Sequence, residues 1–182
     1  MNRRLSSPRR LSSRLLATLA GAALWCVGAP AVRAAQGDEA EQKATLVFNL
    51  LLFVDWPADV LPPQAPSLAL CVDGTSPLLP AVQALEGRIV RRWRLDVREL
   101  SSAGSWSACH AALLDSLSNA PKQAPVGTLL ITDGDAAPSL PAAVSMHRAG
   151  ERIVFDIDLA TVRQSHLQVS SKLLRVARRV TE

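Results

Sequence analysis

The sequence predicts a single α/β domain in which a mixed, mainly parallel sheet is flanked by helices and followed by a C-terminal antiparallel hairpin and a terminal helix. Two apolar runs, at 68–72 and 127–132, are each followed by an Asp-Gly pair. Short unbroken runs of this kind are typical of strands covered on both faces of a parallel sheet. Segments with a helical pattern alternate with these runs, and this order is typical of βαβ units with right-handed crossovers.

The first 35 residues have the three-part layout of a secretory signal peptide. A basic segment comes first, an apolar stretch follows at 15–27, and small residues lead to a cleavage site after Ala34 or Ala35. The apolar stretch is shorter than the roughly 20 residues that a transmembrane helix needs. We therefore expect residues 1–35 to be removed on export to the periplasm and residues 36–182 to form the domain, with a retained N-terminal anchor as the alternative.

The net charge changes sign when the predicted leader is removed. The whole sequence carries 20 basic and 16 acidic side chains, and residues 1–35 hold six of the basic ones and none of the acidic ones. The remaining chain therefore has a net charge of −2. A basic surface for nucleic acid is not expected on such a chain.

The elements of the first half can be predicted from apolar periodicity. Residues 36–42 are polar and predict a frayed segment, whereas residues 43–54 predict a helix that ends before Pro57 and packs on more than one side. After the strand at 68–72, residues 77–85 predict the crossover helix. Residues 89–100 alternate between apolar and charged side chains, which predicts one strand with a face in water near a sheet edge.

The second half continues this pattern and then changes it. Strands are predicted at 108–114 and 127–132, and a hairpin is predicted from residues 142–147 and 152–159. A helical turn at 159–163 and extended residues near 167–169 should follow. The last predicted element is a helix at 170–180, with Leu173, Leu174, Ala177 and Val180 facing inward.

Two cysteines, Cys71 and Cys109, lie outside the predicted leader. Disulfides persist in exported proteins, and a bridge between these two residues would stabilise the fold by about 4 kcal/mol in the chain-entropy model. Two buried free thiols are the alternative. No Cys-x-x-Cys motif is present, which argues against a thioredoxin-like redox centre.

The sequence contains no motif for a cofactor or a catalytic nucleophile. His110, His147 and His166 are isolated from other ligand-type residues, so we expect structural roles for them and no metal site. Dinucleotide-binding, P-loop, nucleophile-elbow and zinc-protease motifs are all missing from the sequence. We therefore predict a protein that is not an enzyme and that has no cofactor.

Two charged patterns have both a functional and a structural interpretation. Asp156 and Asp158 share one strand face and could act as a carboxylate pair, although the wet faces of strands carry charges routinely. The run 91–94 combines three arginines with Trp93 and is superficially similar to a nucleic-acid surface. A solvated strand face is the interpretation that we favour for this run.

Six segments of the sequence form a distinctive series. They are FNLLLFVDWP (48–57), LALCVDG (68–74), LEGRIVRRWRLDVREL (85–100), ACHAALL (108–114), TLLITDGD (128–135) and RIVFDIDLATVRQSHLQVSSKLLRVAR (152–178). The most specific parts are the first helix with its Trp-Pro ending and the C-terminal Phe-x-Ile-x-Leu and Ser-Ser-x-Leu-Leu patterns. In this order and spacing the segments together resemble the YfiR family of periplasmic proteins.

The resemblance implies a function and a covalent link. The name-giving member holds back an inner-membrane diguanylate cyclase by binding its periplasmic region, which lowers cyclic-di-GMP and biofilm formation. Cys71 and Cys109 match the cysteines of a family disulfide, and the resemblance also implies homodimerisation. This chain departs from the family at 75–79 and at 142–146, and these departures bear on the identity of the partner rather than on the fold.

We therefore favour a periplasmic binding protein that represses an inner-membrane signalling protein, a diguanylate cyclase or a sensor kinase. Its expected partner surface contains Phe155, Leu167, Val169 and Arg175, where Leu167 and Val169 are exposed apolar anchors unless they pack in the core. The alternative is a small-molecule receptor or enzyme that uses a cleft at the ends of the parallel strands. That cleft would be formed by Asp73, Gly74, Asp133 and Asp135, for which turns with Asx hydrogen bonds are the structural interpretation.

Overall fold

The computed structural model describes residues 30–100, 108–115, 125–134 and 142–182, and of residues 30–37 it describes the backbone alone. These residues form helices and strands that alternate along most of the chain. In chain order the elements are α1 (Pro30–Leu51), β1 (Val54–Asp55), β2 (Ser67–Asp73), α2 (Leu79–Gln83), β3 (Ile89–Val90), β4 (Trp93–Leu100), β5 (Ala111–Leu114), β6 (Leu129–Asp133), β7 (Val144–Ala149), β8 (Arg152–Asp158), α3 (Leu159–Gln164), β9 (Gln168–Val169), α4 (Ser171–Val176) and β10 (Arg179–Thr181).

The main sheet has eight strands in the order β10-β8-β7-β6-β5-β2-β4-β3. The five consecutive strands from β7 to β4 in this order are parallel, β8 and β3 are antiparallel to their neighbours β7 and β4, and β10 is parallel to β8. A separate antiparallel pair joins β1 to β9. The predicted single α/β domain with a mixed, mainly parallel sheet and a C-terminal hairpin is confirmed.

Two apolar cores lie on opposite faces of the sheet, because successive residues of a strand point to opposite sides. On one face, the apolar side of α1 packs with alternate residues of the central strands, including Leu70 of β2, Leu113 of β5 and Ile131 of β6, all fully buried. The other face carries a smaller cluster formed by Cys71, Leu100, Cys109, Ala112, Leu114 and Leu130. The strands predicted to be covered on both faces are thus buried on both.

The first helix differs from its prediction at both ends. Residues 36–42 belong to α1 instead of forming a frayed segment, because Glu39 and Lys43 make ionic contacts with distant strands that hold this part of the helix in place. At its other end α1 stops at Leu51, ahead of Pro57, because Val54 pairs with Val169.

The predicted strand at 89–100 is two strands joined by a tight turn. Arg91 adopts the left-handed backbone conformation with φ of 57°, and β3 therefore folds back on β4 in antiparallel register. The predicted alternation holds in the first part of β4, where Trp93 and Leu95 are buried and Arg94 is exposed, but it is lost from Asp96 to Glu99.

The terminal helix is shorter than predicted. It ends at Val176, Ala177 is extended with ψ of 144°, and the backbone N–H of Arg178 donates to Phe155 O at 2.8 Å. The chain then forms β10 beside β8 instead of continuing the helix to residue 180. Val180 is 38 % exposed, so the expectation that it faces inward is wrong. No helix in the described part of the chain is both long and apolar enough to cross a membrane.

Candidate functional site

The carboxyl ends of β2 and β6 lie at the same edge of the sheet, with β5 between them. At the end of β2, Asp73 Oδ1 accepts hydrogen bonds from the backbone N–H of Thr75 at 2.9 Å and from its hydroxyl at 2.7 Å. The N–H of Gly74 donates to Leu100 O at 3.2 Å. These contacts are those of an Asx turn that closes the strand.

Asp133, at the end of β6, lies in a different environment. It is 8 % exposed, and its Oδ2 accepts a hydrogen bond from Lys43 Nζ of α1 at 2.6 Å. Its other oxygen, Oδ1, is buried and receives no hydrogen bond from any described residue. Asp135, the fourth residue of the predicted ligand cleft, lies outside the described residues.

Lys43 is the centre of an ionic cluster that ties α1 to the sheet. Its Nζ is also 2.8 Å from Glu39 Oε1 one helical turn away, and the second oxygen of Glu39 pairs with Arg148 of β7. The hydrogen bond from Lys43 lowers the pKa of Glu39. Burial lowers the pKa of Lys43, but its hydrogen bonds to Asp133 and Glu39 outweigh burial, so that the net shift is upward. We call Glu39, Lys43, Asp133 and Arg148 the ionic cluster.

A cleft of about 730 Å³ opens between α1 and α2 beside this cluster. Its polar part is formed by Glu39, Glu41, Lys43 and Asp133. Much of the remaining wall is formed by Leu78, Pro80, Ala81 and Ala84. Sequence reasoning missed Lys43. The signal that could have found it is a lysine next to the buried stripe of a helix, with a glutamate four residues earlier.

Strands β6 and β7 approach each other closely just after Asp133. The N–H of Gly134 donates to Met146 O at 2.7 Å. A Cβ at Gly134 would lie 2.5 Å from His147 Cε1 and 2.9 Å from Met146 O. Only glycine fits between these atoms, and the Asp-Gly pair therefore serves packing as well as the turn.

The predicted partner surface is partly buried. Phe155 is 6 % exposed and Leu167 is 3 % exposed, and both belong to the larger core. Core packing is therefore the interpretation that holds for Leu167, and the hypothesis of an exposed anchor there does not. Val169 is half-buried and pairs with Val54 in the two-stranded sheet. Arg175 alone of the four is exposed. Apolar periodicity correctly identified side chains that must be buried, but Phe155 and Leu167 are buried in the core of this chain and not against a partner.

Other C-terminal side chains are exposed in place of these residues. Val176 is 69 % exposed, Val180 is 38 % exposed, and Arg175 and Arg179 stand next to them along the chain. The last strand, β10, lies at one end of the eight-stranded order. We call Arg175, Val176, Arg179 and Val180 the C-terminal edge.

The aspartates of β8 have structural partners. Both Asp156 oxygens accept hydrogen bonds from the guanidinium of Arg178, at 2.8 and 2.5 Å, and His147 Nε2 is 3.5 Å from Oδ2. The hydrogen bonds from Arg178 lower the pKa of Asp156. Asp158 caps α3, where its side chain accepts from the N–H of Thr161 at 2.9 Å. The ion pair between Arg178 and Asp156 holds the chain in place just before β10 begins.

The histidine and arginine patterns also have structural contacts. His110 Nδ1 accepts from the N–H of Ala69 at 2.9 Å. Trp93 is buried and donates to Pro62 O at 3.1 Å, so its ring is not an open stacking surface. Arg91 pairs with Asp55. Within the described ranges, no three His, Cys, Asp or Glu side chains come together in an arrangement that could hold a metal ion.

Cys71 of β2 and Cys109, just before β5, form a disulfide with their Cα atoms 5.8 Å apart. This is the pairing that the resemblance implied. Both sulfur-bearing residues are at most 4 % exposed and lie in the smaller core.

A family model described as YfiR/HmsC-like matches residues 40–178, which is most of the chain and includes the disulfide, α4 and every residue of the ionic cluster except Glu39. The chain belongs to the YfiR/HmsC-like family. This family is periplasmic, and the disulfide in this chain agrees with that location. The family is regulatory rather than catalytic. Membership of the family is consistent with a periplasmic regulator of a diguanylate cyclase. None of the curated proteins matches the sequence.

Proposed function

We propose that this YfiR/HmsC-like protein is exported to the periplasm and represses an inner-membrane signalling protein, in the first place a diguanylate cyclase, by binding its periplasmic region. The observation that carries the proposal is the family match over residues 40–178. Repression of this kind needs no chemistry on the regulator. It requires only that the protein binds the inactive form of its partner more tightly than the active form.

The C-terminal edge is the surface that we propose for this contact. An outermost strand offers unpaired backbone N–H and C=O groups to a strand of another chain. Val176 and Val180 add exposed apolar area, and Arg175 and Arg179 add positive charge. The partner segment that fits these features is an extended, partly apolar stretch with acidic side chains.

The surface can be tested without disturbing the core. Substituting Val176→Glu and Val180→Glu together adds negative charge to exposed positions, so the fold should persist while partner binding is lost. The matched control is Ile89→Glu, because Ile89 is 55 % exposed and lies in β3 at the opposite end of the strand order.

The readout is intracellular cyclic-di-GMP in a strain that lacks the gene and is complemented with each version. We expect the deletion to raise cyclic-di-GMP, the wild type and Ile89→Glu to restore the low level, and the double variant to fail. A photo-crosslinker at Val180 should capture an integral membrane protein that carries a cyclase domain. A deletion without effect on cyclic-di-GMP, or full repression by the double variant, would overturn this assignment.

A further inference from the structure

We propose that the hairpin of β3 and β4 docks edge-on against the surface of an anionic phospholipid bilayer, and that Arg88, Arg92 and Arg94 contact the lipid phosphates. We call these three residues the basic tip. This surface is distinct from the C-terminal edge, and the proposed repression does not require it.

The first argument is the local charge of the hairpin. Residues 87–95 contain four arginines and no acidic residue, whereas residues 36–182 together carry a net charge of −2. Arg91 and Arg92 form the two-residue turn between β3 and β4, and all four arginines are exposed. A local excess of positive charge attracts an anionic surface over about one Debye length, roughly 10 Å at about 0.1 M salt.

The second argument is that the charges of the basic tip are not neutralised within the protein. The guanidinium of Arg88 lies over the ring of Phe48, 3.8 Å from its centroid, and that of Arg92 lies 5.6 Å from the ring centroid of Trp93. A ring contact of this kind orients a guanidinium and leaves its positive charge in place. Among the described residues, no carboxylate pairs with any residue of the basic tip.

The neighbouring Arg91 differs from the basic tip in this respect. Its guanidinium pairs with Asp55, and its Nε donates to Leu52 O at 3.0 Å. Arg94, in contrast, donates to the backbone oxygen of Gly87 at 3.3 Å and keeps its charge available. Arg91 therefore holds the turn against the end of α1, and the basic tip is left for a second molecule.

The directions of the arginines favour an extended surface over a single small anion. Arg88 points toward α1, where it contacts Phe48. Arg94 alternates along β4 with the buried Trp93 and Leu95, so it leaves the hairpin on the opposite face. One small anion does not reach both faces of a sheet, whereas a layer of headgroups that meets the hairpin edge-on does. Because Trp93 is buried, the hairpin also lacks an open ring on which a nucleic-acid base could stack.

Ile89 adds an apolar contact at the same place. It is 55 % exposed and lies opposite Arg94 in the antiparallel register, so the two side chains share one face. Surfaces that bind membranes combine basic side chains at the phosphates with apolar side chains that enter the interface. The family is periplasmic, and a periplasmic protein lies next to phospholipid membranes. Since β3 and β10 are at opposite ends of the strand order, the C-terminal edge stays turned away from the lipid.

Binding can be measured by cosedimentation of the exported protein with vesicles made of equal parts phosphatidylglycerol and phosphatidylcholine. We expect saturable binding to these vesicles and none to vesicles of phosphatidylcholine alone. Raising the salt from about 0.1 M to about 1 M should release the protein, because the Debye length falls to about 3 Å.

Two triple variants with the same change of net charge locate the contact. The variant Arg88→Gln, Arg92→Gln and Arg94→Gln should bind at least tenfold more weakly, because each basic side chain near an anionic bilayer raises the partition roughly fivefold. The matched control changes three exposed basic residues elsewhere, Arg152→Gln, Arg163→Gln and Lys172→Gln, and should bind within about twofold of the wild type. Circular dichroism and urea unfolding establish that both variants are folded.

Three results would overturn the proposal. The first is wild-type protein that does not bind the phosphatidylglycerol vesicles, or that binds phosphatidylcholine equally well. The second is an equal loss of binding in both triple variants, which would mean that net charge and not the basic tip determines binding. The third is binding of soluble polyglutamate through the basic tip without binding of vesicles, which would make the hairpin a docking surface for an acidic protein.

Discussion

The imidazole of His110 joins three segments of the chain in a single tautomer. Nδ1 accepts from the N–H of Ala69, and the ring also hydrogen-bonds the backbone of Val60. A ring that accepts at Nδ1 must carry its proton at Nε2. Burial lowers the pKa of His110, with a further contribution from Arg98, and protonation would place a hydrogen on Nδ1 against the N–H of Ala69.

The stability of the protein should therefore fall as the pH is lowered below the ordinary histidine range. Because the folded-state pKa of His110 lies below the unfolded value, about 6.5, the unfolded chain takes up the proton first. The contribution of His110 is fully present above that value and is lost as the pH falls toward the folded-state pKa. Urea unfolding at pH values from about 1.5 units above to about 1.5 units below 6.5 measures this slope.

The control for this prediction is a second histidine. His110→Asn removes the titrating group and should flatten the pH dependence. His166→Asn, at an exposed position whose left-handed backbone (φ of 58°) asparagine tolerates, should leave the slope as it is. Equal slopes for the wild type and His110→Asn would contradict the assignment.

Among the elements, α1 depends on contacts that are far away in sequence. Lys43 and Asp133 are 90 residues apart, and their side chains are 7 % and 11 % exposed. No local pattern predicts such a pair, which explains why residues 36–42 were expected to fray. The hairpin of β7 and β8, in contrast, could be predicted because its turn and its two apolar faces are adjacent in the sequence.

Replacing the lysine of this pair should destabilise the protein strongly. Lys43→Met leaves the buried carboxylate of Asp133 without its cation, and breaking a buried pair in this way costs about 3–5 kcal/mol. Adding Asp133→Leu to Lys43→Met should recover most of that loss, because the remaining charge is removed as well. Chemical denaturation of both variants gives the free energies of unfolding.

The comparison for this experiment is Lys172→Met, which removes an exposed lysine of α4 and should change the stability by less than about 0.5 kcal/mol. A similarly small effect of Lys43→Met would mean that the ionic cluster does not hold α1 in place.

At the C terminus, helical periodicity gave the wrong element. Leu173 and Leu174 follow the helical spacing, and α4 does bury Leu173. Two long-range contacts then override the pattern, namely the Arg178 N–H with Phe155 O and the Arg178 guanidinium with Asp156. The partner of β10 lies more than 20 residues earlier in the chain, so a reading of local periodicity cannot find it.

At the scale of the whole molecule, the disulfide stabilises the fold mainly by restricting the conformations of the unfolded chain. Cys71 lies on β2 and Cys109 comes just before β5, and backbone hydrogen bonds already hold these two parallel strands side by side. The bridge adds little to that geometry, but it restricts an unfolded loop with a sequence separation of 38. The paired strands could be predicted from their apolar runs, whereas the pairing of the sulfurs rested on the family resemblance.

Removing the bridge should leave a folded but less stable protein. Cys71→Ala together with Cys109→Ala is expected to lower the free energy of unfolding by about 4 kcal/mol, as measured by urea denaturation. In the wild type, both cysteines should resist reductant until denaturant is added, because they are at most 4 % exposed. Two thiols that react readily in the native exported protein would contradict the structure.

Because β1 pairs with β9, the two ends of α1 are attached to different parts of the fold. One part of the helix is attached to β6 and β7 through Lys43 and Glu39. The segment after Leu51 is attached to the start of α4, because the N–H of Ser170 donates to Phe53 O at 2.9 Å and Ser170 caps α4. The helical stretch from Lys43 to Leu51 spans about 12 Å at about 1.5 Å per residue. We therefore expect a shift of α1 along its axis to displace the first turn of α4 as well, because the residues after Leu51 are hydrogen-bonded to Ser170.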